Sequence, residues 1–128
     1  MAVTLPDRAR KLLEGKNFAH LATVMPDGSP QVTPVWVHTE GDDVIVNTSE
    51  DRVKTRNIRR DPRVALSIYD QQNPYRKVTI RGRVVELIHE GADDSIDALS
   101  MKYEGEPFSK PQGQVRVILR IRPDRVTD

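Results

Sequence analysis

Apolar and polar residues alternate over most of this 128-residue chain, which is the pattern of half-buried β-strands. The clearest case is Val64, Leu66 and Ile68, which alternate with smaller or polar residues. The same period predicts strands at residues 18–25, 31–38, 43–46, 64–69, 77–88 and 115–122. Gly82 falls inside the longest of these strands, and a glycine there predicts a bulge or a close backbone approach.

Three stretches follow the helical period instead. The first helix is predicted to begin at residues 4–7, where a capping hydroxyl precedes a proline and an acid, and to end at Gly15. A short central helix stops before Pro62, because proline disfavours the helical conformation of the residue before it. A third helix is predicted at residues 90–104, followed by Gly105. Loops are expected at residues 71–74 and 105–114, and a tight turn at residues 26–29.

This order of elements predicts the fold class. About six strands with a short central helix and two flanking helices favour a closed antiparallel barrel over a parallel sheet. Residues 1–128 are expected to form one domain, since domains commonly hold roughly 100 to 150 residues. The apolar share is only 37%, which leaves room for a second chain to complete the interior.

The composition removes several classes of function. Without cysteine, neither a disulfide framework nor a thiolate metal site can form. The three histidines, His20, His38 and His89, have no ligand spacing, so no metal site is expected. A net charge of +1 does not favour nucleic acid. The first residues hold no apolar run long enough for export or a membrane span, so we expect a cytoplasmic protein without nucleic-acid or membrane partners.

A segment in the middle of the chain combines the features of an anion site. The predicted strand passes through polar Asn47, Thr48 and Ser49 and leads directly into the short helix. A helix N-terminus presents free backbone N–H groups and the positive end of the helix dipole. Arg52 and Lys54 add charge-assisted donors at this end. We predict that this segment binds the phosphate or phosphodiester arm of a cofactor.

The same segment has a plainer interpretation, because an arginine-rich helix is commonly only a solvated surface. Arg56, Arg59, Arg60 and Arg63 fit this interpretation better than Arg52 and Lys54 do. They are expected to act as partners of a nearby acid such as Asp61, or of an anionic coenzyme tail.

Two sets of residues carry a family resemblance. They are Leu21-Ala22-Thr23 with Asp27-Gly28-x-Pro30, and Arg52-x-Lys54-x-x-Asn57-Ile58-Arg59-Arg60-Asp61-Pro62-Arg63-Val64. Together they resemble the split β-barrel flavin- and deazaflavin-binding proteins related to pyridoxamine 5′-phosphate oxidase, in particular the branch that depends on coenzyme F-420. The resemblance implies an all-β dominated fold with flanking helices: a six- to seven-stranded antiparallel split β-barrel. It also implies a homodimer with cofactor sites at the interface.

The resemblance further implies which residues bind the cofactor. Arg52 and Lys54 match the family's phosphate-binding cations, and Asn57 matches its motif either as a ligand or as a tie between helix and strand. The other matched positions are Thr48 and Ser49 beside the phosphate, Gln31, Thr33, Val35 and Trp36 along the tricyclic ring, and Tyr75 and Lys77 from the partner subunit. Asn47, in the same polar strand end as Thr48 and Ser49, is also predicted to bind the cofactor. Trp36 is equally well explained by packing, and Gln31 and Thr33 as outward strand positions.

The implied reaction is hydride transfer from reduced coenzyme F-420 to a small conjugated organic substrate, with no catalytic side chain required. A proton comes from solvent or from Tyr75, Tyr103 or His38. FMN is the alternative cofactor, although the dense cations favour a deazaflavin with a carboxylate-bearing tail. No Arg-x-His segment follows the last strand, so vitamin oxidase activity is not expected. A non-catalytic carrier or sensor, and less so a nucleic-acid binder, are the alternative roles.

Overall fold

The computed structural model describes residues 3–127, which form seven strands and three helices. The helices are α1 (Asp7–Glu14), α2 (Val53–Arg60) and α3 (Ala92–Glu104). The strands are β1 (Ala19–Val24), β2 (Pro30–Val35), β3 (Val37–Glu40), β4 (Asp43–Ser49), β5 (Arg63–Asp70), β6 (Asn73–Ile88) and β7 (Arg116–Thr127).

The strands form one antiparallel sheet in the order β2-β1-β5-β6-β7-β4-β3. Its two edge strands, β2 and β3, are consecutive in the chain with only Trp36 between them. A sheet whose opposite edges are joined by one residue has to curl round on itself. Within the described part of the chain no ladder joins β2 to β3, so the barrel is split at Trp36. The predicted antiparallel split barrel, dominated by β-structure, is confirmed.

The concave side of the sheet holds the main core. Alternate residues of each strand, such as Val64, Leu66 and Ile68 on β5, are buried there. Helix α1 packs on β3, β5 and β6 and adds Leu12 and Leu13 to the same cluster. Burying a side chain of this size contributes about 1.5–3 kcal/mol relative to leaving it exposed, so this cluster holds α1 on the barrel.

A second, smaller cluster lies under α3, which packs on β7 and β4. Ile96, Leu99 and Tyr103 form it, with the half-buried rings of Trp36 and Phe108 against them. Because Trp36 joins β2 to β3, α3 supports the point at which the barrel is split.

Gly82 lies where β6 and β7 come closest. The register of the two strands shifts between Arg81 and Gly82, and Gly82 pairs with Pro123. A Cβ atom on Gly82 would be 3.0 Å from the Cα of Pro123 and closer still to the carbonyl oxygen of Arg122. The prediction of a bulge and a close backbone approach is confirmed.

Several predicted boundaries were wrong. The single strand predicted at 31–38 is two strands, because its second half pairs with β4 and not with β1. The loop predicted at 71–74 is a two-residue turn, since Asn73 already pairs with Asp70 across the β5–β6 hairpin. The strand predicted at 115–122 continues to Thr127. It contains Pro123, which is accommodated because the register of the two strands shifts at its partner Gly82. The residue that caps α1 is Pro6, so no hydroxyl caps this helix.

Among residues 3–127, no helix is long and apolar enough to cross a membrane.

Candidate functional site

A cavity of about 250 Å³ opens where the β2–β3 bend, the end of β4, the start of α2 and the base of α3 meet. Six of the predicted site residues line it: Val35, Trp36, Asn47, Thr48, Arg52 and Lys54. Five further residues, none of them among the predicted cofactor-binding set, complete the lining: Phe18, Pro34, Ile96, Phe108 and Arg116. The structure therefore brings predicted residues from β2, β4 and the start of α2 together at one cavity.

Lys54 is the most unusual residue of this cavity. It stands in the first turn of α2 and is only 4% exposed, yet it makes no hydrogen bond or ion pair within residues 3–127. Burial, reinforced by the positive charges of Arg52 and Arg116, lowers the pKa of Lys54 to about 8. An ammonium at the end of so deeply buried a side chain, without a partner among the described residues, is costly, so this position is prepared for an anion.

The turn that leads into α2 fixes the position of Lys54. Thr55 Oγ1 donates a hydrogen bond of 2.7 Å to the carbonyl oxygen of Ser49, which ties the first turn of the helix to the end of β4. Ser49 Oγ in turn donates to a carboxylate oxygen of Asp51. Ser49 was predicted to stand beside a phosphate, but its hydroxyl is occupied in shaping this turn.

Arg116 is a cation of the cavity that sequence reasoning missed. It begins β7 and pairs in register with Ser49 of β4. Its Nε donates to Asn47 Oδ1 at 2.9 Å, and its guanidinium carbon lies 4.9 Å from the centre of the Phe108 ring. Burial, followed by repulsion from Arg52, lowers the pKa of Arg116. Three cations therefore converge on one small cavity.

Asn47 connects three elements around the cavity. Its Oδ1 accepts from Arg116, while its Nδ2 donates to the carbonyl oxygen of Ala92 at 2.8 Å. The side chain thus joins β4 to β7 and to the first residue of α3. These bonds hold the positive wall of the cavity in place.

Aromatic rings also line the cavity or pack behind its lining. The ring of Trp36 stacks on that of Tyr103, and the Phe18 ring lies 5.5 Å from Tyr103 at an interplanar angle of 37°. Phe108 also lines the cavity, with its ring against the Arg116 guanidinium. A cavity lined by both cations and flat apolar rings suits a molecule that has an anionic arm and a planar ring.

Four predicted site residues lie away from this cavity or face the barrel interior. Thr23 Oγ1 donates to Gln31 Oε1 at 3.1 Å and accepts from Asn57 Nδ2 at 3.0 Å. Asn57 therefore ties α2 to β1, which is the structural alternative that the sequence left open. Thr33 Oγ1 is buried without a hydrogen-bond partner in the described structure. Ser49, whose hydroxyl donates to Asp51, is the fourth of these residues.

Tyr75 and Lys77 lie far from the other predicted residues within one chain. They are on the β5–β6 hairpin, where Tyr75 is 91% exposed, and they line a separate groove beside α1. They can therefore take their predicted part in cofactor binding only at the site of a second subunit.

The remaining cations of α2 and its vicinity have partners of their own. Arg63 pairs with Asp61 at 2.7 Å, and its hydrogen bond lowers the pKa of that carboxyl to about 2. Arg59 pairs with Glu50 at 2.5 Å. Arg56 and Arg60 donate to the carbonyl oxygens of Asp51 and Val24. Each of these four arginines thus has a partner within the protein, as the plainer interpretation predicts.

The part of the chain that the structure describes contains no group of three or more histidine, aspartate or glutamate side chains placed to hold a metal ion.

The chain was compared with known families and solved structures. Residues 5–128 match the family model described as pyridoxamine 5′-phosphate oxidase. The chain belongs to this family. It is similar to the structure of an F-420 reductase, with 34% identity and a TM-score of 0.86 over 96% of this chain and 98% of that one.

Two more distant solved structures are also similar to this chain. A conserved hypothetical protein from Mycobacterium tuberculosis is 23% identical, with a TM-score of 0.74 over 98% of this chain and 84% of that one. General stress protein 26 from Bacillus anthracis is 16% identical, with a TM-score of 0.71 over 94% of this chain and 89% of that one. At these identities the likeness extends to the fold alone.

A flavin-like cofactor of the pyridoxamine 5′-phosphate oxidase family fits the residues at this cavity in part. Arg52, Lys54 and Arg116 provide an anion site, and Trp36 provides a flat wall. A volume of about 250 Å³ lies below the roughly 300–1,000 Å³ of most small-molecule sites. One chain therefore accommodates only part of such a molecule. Family membership and the likeness to an F-420 reductase indicate an oxidoreductase.

Proposed function

We propose that this protein is an oxidoreductase that binds coenzyme F-420 and transfers a hydride to a small conjugated organic substrate. The observation that carries the proposal is Lys54, whose side chain is 4% exposed and whose ammonium has no hydrogen-bond or ion-pair partner among residues 3–127. It lies beside Arg52 and Arg116 at a cavity that Trp36 also lines. The identity of 34% to an F-420 reductase supports this choice of cofactor.

The anionic arm of the coenzyme is assigned to the start of α2. Lys54 offers an ammonium with three donors, and Arg52 offers a guanidinium that can grip two phosphate oxygens at once. The N-terminus of α2 adds its dipole, and Thr48 lines the same cavity. A bound phosphate compensates the repulsion among the three cations. Arg116, which is held by Asn47, takes the negative charge that lies further along the arm.

The ring of the coenzyme is assigned to the wall made by Val35 and Trp36. When bound, the deazaflavin supplies the hydride chemistry. The chain contributes binding, orientation and the exclusion of water, since holding the reacting atoms in contact lowers the barrier. No side chain acts as a nucleophile. Tyr103 is not the proton donor, because its buried hydroxyl donates to the carbonyl oxygen of Asn17 and burial raises the pKa of Tyr103. The proton comes from solvent or from exposed Tyr75.

A homodimer completes the site in this proposal. The cavity of one chain is too small for the whole coenzyme. Tyr75 and Lys77 project from the β5–β6 hairpin. In the dimer, the hairpin of one subunit brings these two residues to the coenzyme ring held by the other subunit. Light scattering on the purified protein is expected to give twice the monomer mass, and a monomer that binds the coenzyme normally would contradict this part.

The test of the cofactor assignment is direct binding. Coenzyme F-420 is titrated with the protein and followed by its fluorescence anisotropy, with FMN in a parallel titration. We expect tighter binding of F-420, and roughly tenfold or greater loss of affinity in Lys54→Met, since a hydrogen bond to a charged group contributes about 1.5–3 kcal/mol. Arg63→Gln is the matched control, because this cation is paired with Asp61 at the other end of α2.

Two outcomes would redirect the proposal. Tighter binding of FMN would change the cofactor, and unaltered affinity in Lys54→Met would remove the phosphate assignment. Catalysis is tested separately, by adding quinone, nitroaromatic or enone acceptors to the reduced coenzyme with the protein present. If the protein does not accelerate the oxidation of the reduced coenzyme by any of these acceptors, it is a carrier or sensor and not a reductase.

A further inference from the structure

A groove of about 1020 Å³ lies between α1 and the β5–β6 hairpin, and it shares no lining residue with the Lys54 cavity. Its volume is at the top of the range found for small-molecule sites, roughly 300–1,000 Å³. Five cations line it: Arg8, Lys11 and Lys16 on the side of α1, and Arg76 and Lys77 on the side of the hairpin.

Little negative charge faces four of these cations, Lys11, Lys16, Arg76 and Lys77, within the described structure. Asp70 is the one acid among the described lining residues, and its carboxylate already accepts a backbone N–H of the hairpin turn at 2.8 Å and lies 3.7 Å from Arg76. Lys11, Lys16 and Lys77 make no ion pair within residues 3–127. Since the whole chain carries only +1, the positive charge of the groove is a local concentration.

The two walls of the groove are joined at its floor by the buried side chain of Asn17. Its Oδ1 accepts the backbone N–H of Gln71 on the hairpin at 3.0 Å, and its Nδ2 donates to the carbonyl oxygen of Leu12 on α1 at 3.0 Å. Its own carbonyl oxygen accepts from Tyr103. The groove is therefore held open in the protein itself and does not depend on a ligand to form it.

We infer that this groove binds a small organic anion and that this anion is the substrate of the reaction. The second part rests on the proposed function, in which Tyr75 and Lys77 reach the coenzyme held by the partner subunit. Walls of one charge concentrate the field inside a cleft and attract molecules of opposite charge. The ring of Tyr75, 91% exposed at the rim, offers a flat apolar surface for the rest of the molecule.

The first test measures anion binding without any coenzyme. Citrate and pyrophosphate, which represent carboxylate and phosphate groups, are titrated by calorimetry at an ionic strength of about 0.02 M, where screening is weak. The variant Lys11→Gln/Lys16→Gln removes two cations of the groove that have no part in the coenzyme site. We expect roughly three- to tenfold weaker binding, because each exposed charge contributes up to about 1 kcal/mol.

The matched control is Arg81→Gln/Arg125→Gln. These two exposed arginines pair in register on β6 and β7, lie outside the groove, and change the net charge by the same amount. The control is expected to bind both anions as the parent does. Equal binding by the parent and the groove variant, or an equal loss in the control, would overturn the inference. Preference for citrate or for pyrophosphate identifies the anionic group.

The second test concerns the substrate itself. The coenzyme-loaded protein is given 1,4-naphthoquinone and its 2-sulfonate, each of which takes up a hydride and a proton to form the hydroquinone. We expect the ratio of kcat/KM for the sulfonate to kcat/KM for the neutral quinone to fall roughly three- to tenfold in Lys11→Gln/Lys16→Gln. An unchanged ratio would remove the substrate role.

The two proposals fail in different ways. If F-420 and FMN both fail to bind, the proposed function fails and the substrate role fails with it, while the calorimetric titration still decides whether the groove binds anions. If the coenzyme binds and the groove variant shows no defect in either test, only the present inference is wrong.

Discussion

Trp36 and Tyr103 stack almost parallel, with ring centroids 5.4 Å apart and an interplanar angle of 7°. The Tyr103 hydroxyl donates to the carbonyl oxygen of Asn17 at 2.6 Å and accepts the backbone N–H of Val37 at 3.1 Å. One side chain of α3 therefore holds the bend between β2 and β3, the loop after α1, and the aromatic wall of the candidate site. Its neighbour Lys102 adds hydrogen bonds to two backbone carbonyls of the same region.

Replacing Tyr103 by phenylalanine keeps the stacked ring and removes only the hydroxyl. The buried N–H of Val37 and carbonyl of Asn17 then lose a partner, which costs about 1–3 kcal/mol. We expect the free energy of unfolding to fall by this amount. Urea unfolding followed by the fluorescence of Trp36, the single tryptophan of the sequence, measures it. Tyr75→Phe, at an exposed tyrosine, is the control and should change nothing; an undiminished stability in Tyr103→Phe would contradict the prediction.

The sequence was most informative where the chemistry and its setting are contiguous. Arg52 and Lys54 follow directly on a polar strand end, so a strand, a helix start and two cations could be recognised in one segment. The structure brings these residues to one cavity with Asn47 and Thr48. Trp36 was also placed there, although by resemblance and not by any local signal.

Arg116 could not be found in the same way. It lies 69 positions from its hydrogen-bond partner Asn47, and only the pairing of β4 with β7 brings them together. In the sequence it was one more polar residue alternating along a strand. The break at Trp36 was hidden for a related reason: Val35 and Val37 are both buried, so the alternation continues through a position where the strand changes partner.

Lys54 is predicted to make stability depend on pH. Its pKa in the folded protein is about 8, below its ordinary value of 10.5, so the unfolded chain holds more protons between these two pH values. The charged form of Lys54 therefore lowers the free energy of unfolding by its full effect below pH 8. This destabilisation disappears as the pH rises toward 10.5.

The substitution Lys54→Met removes the destabilisation that the charged lysine causes. The variant is expected to be more stable than the parent at pH 7, by up to the order of 3 kcal/mol, and the difference should shrink toward pH 10. Urea unfolding of both proteins at pH 7, 8, 9 and 10 measures the difference between their free energies of unfolding. The contributions of other titrating groups cancel in this difference. Arg63→Gln should show no such trend. A lower stability of Lys54→Met at pH 7 would mean that the ammonium has a compensating partner.

Gly82→Ala tests the close approach of β6 and β7. The new methyl group would meet the backbone of Arg122 and Pro123, which cannot move aside as a side chain would. We expect a loss of about 2 kcal/mol or more in the free energy of unfolding, as for other overpacked positions. Ser67→Ala, at an exposed position of β5, should change it by less than about 0.5 kcal/mol. Equal stability of the two variants would show that the strands can separate at Gly82 without cost.

Arg116 tests whether the cations of the cavity act together. Arg116→Gln removes the charge, and Arg116→Lys keeps it but loses the planar guanidinium that contacts Asn47 and Phe108. If Arg116 takes charge from the coenzyme's arm, the affinity for F-420 should fall roughly tenfold in Arg116→Gln and less in Arg116→Lys, since about 1.4 kcal/mol corresponds to tenfold. Arg125→Gln, an exposed cation on the same strand β7, should bind as the parent does. Fluorescence anisotropy of the coenzyme measures all four proteins, and the emission of Trp36 reports whether the cavity keeps its shape. If Arg116→Gln binds as tightly as the parent with an unchanged Trp36 spectrum, Arg116 serves only to hold Asn47 of β4 against β7, and the anion site consists of Arg52 and Lys54 alone.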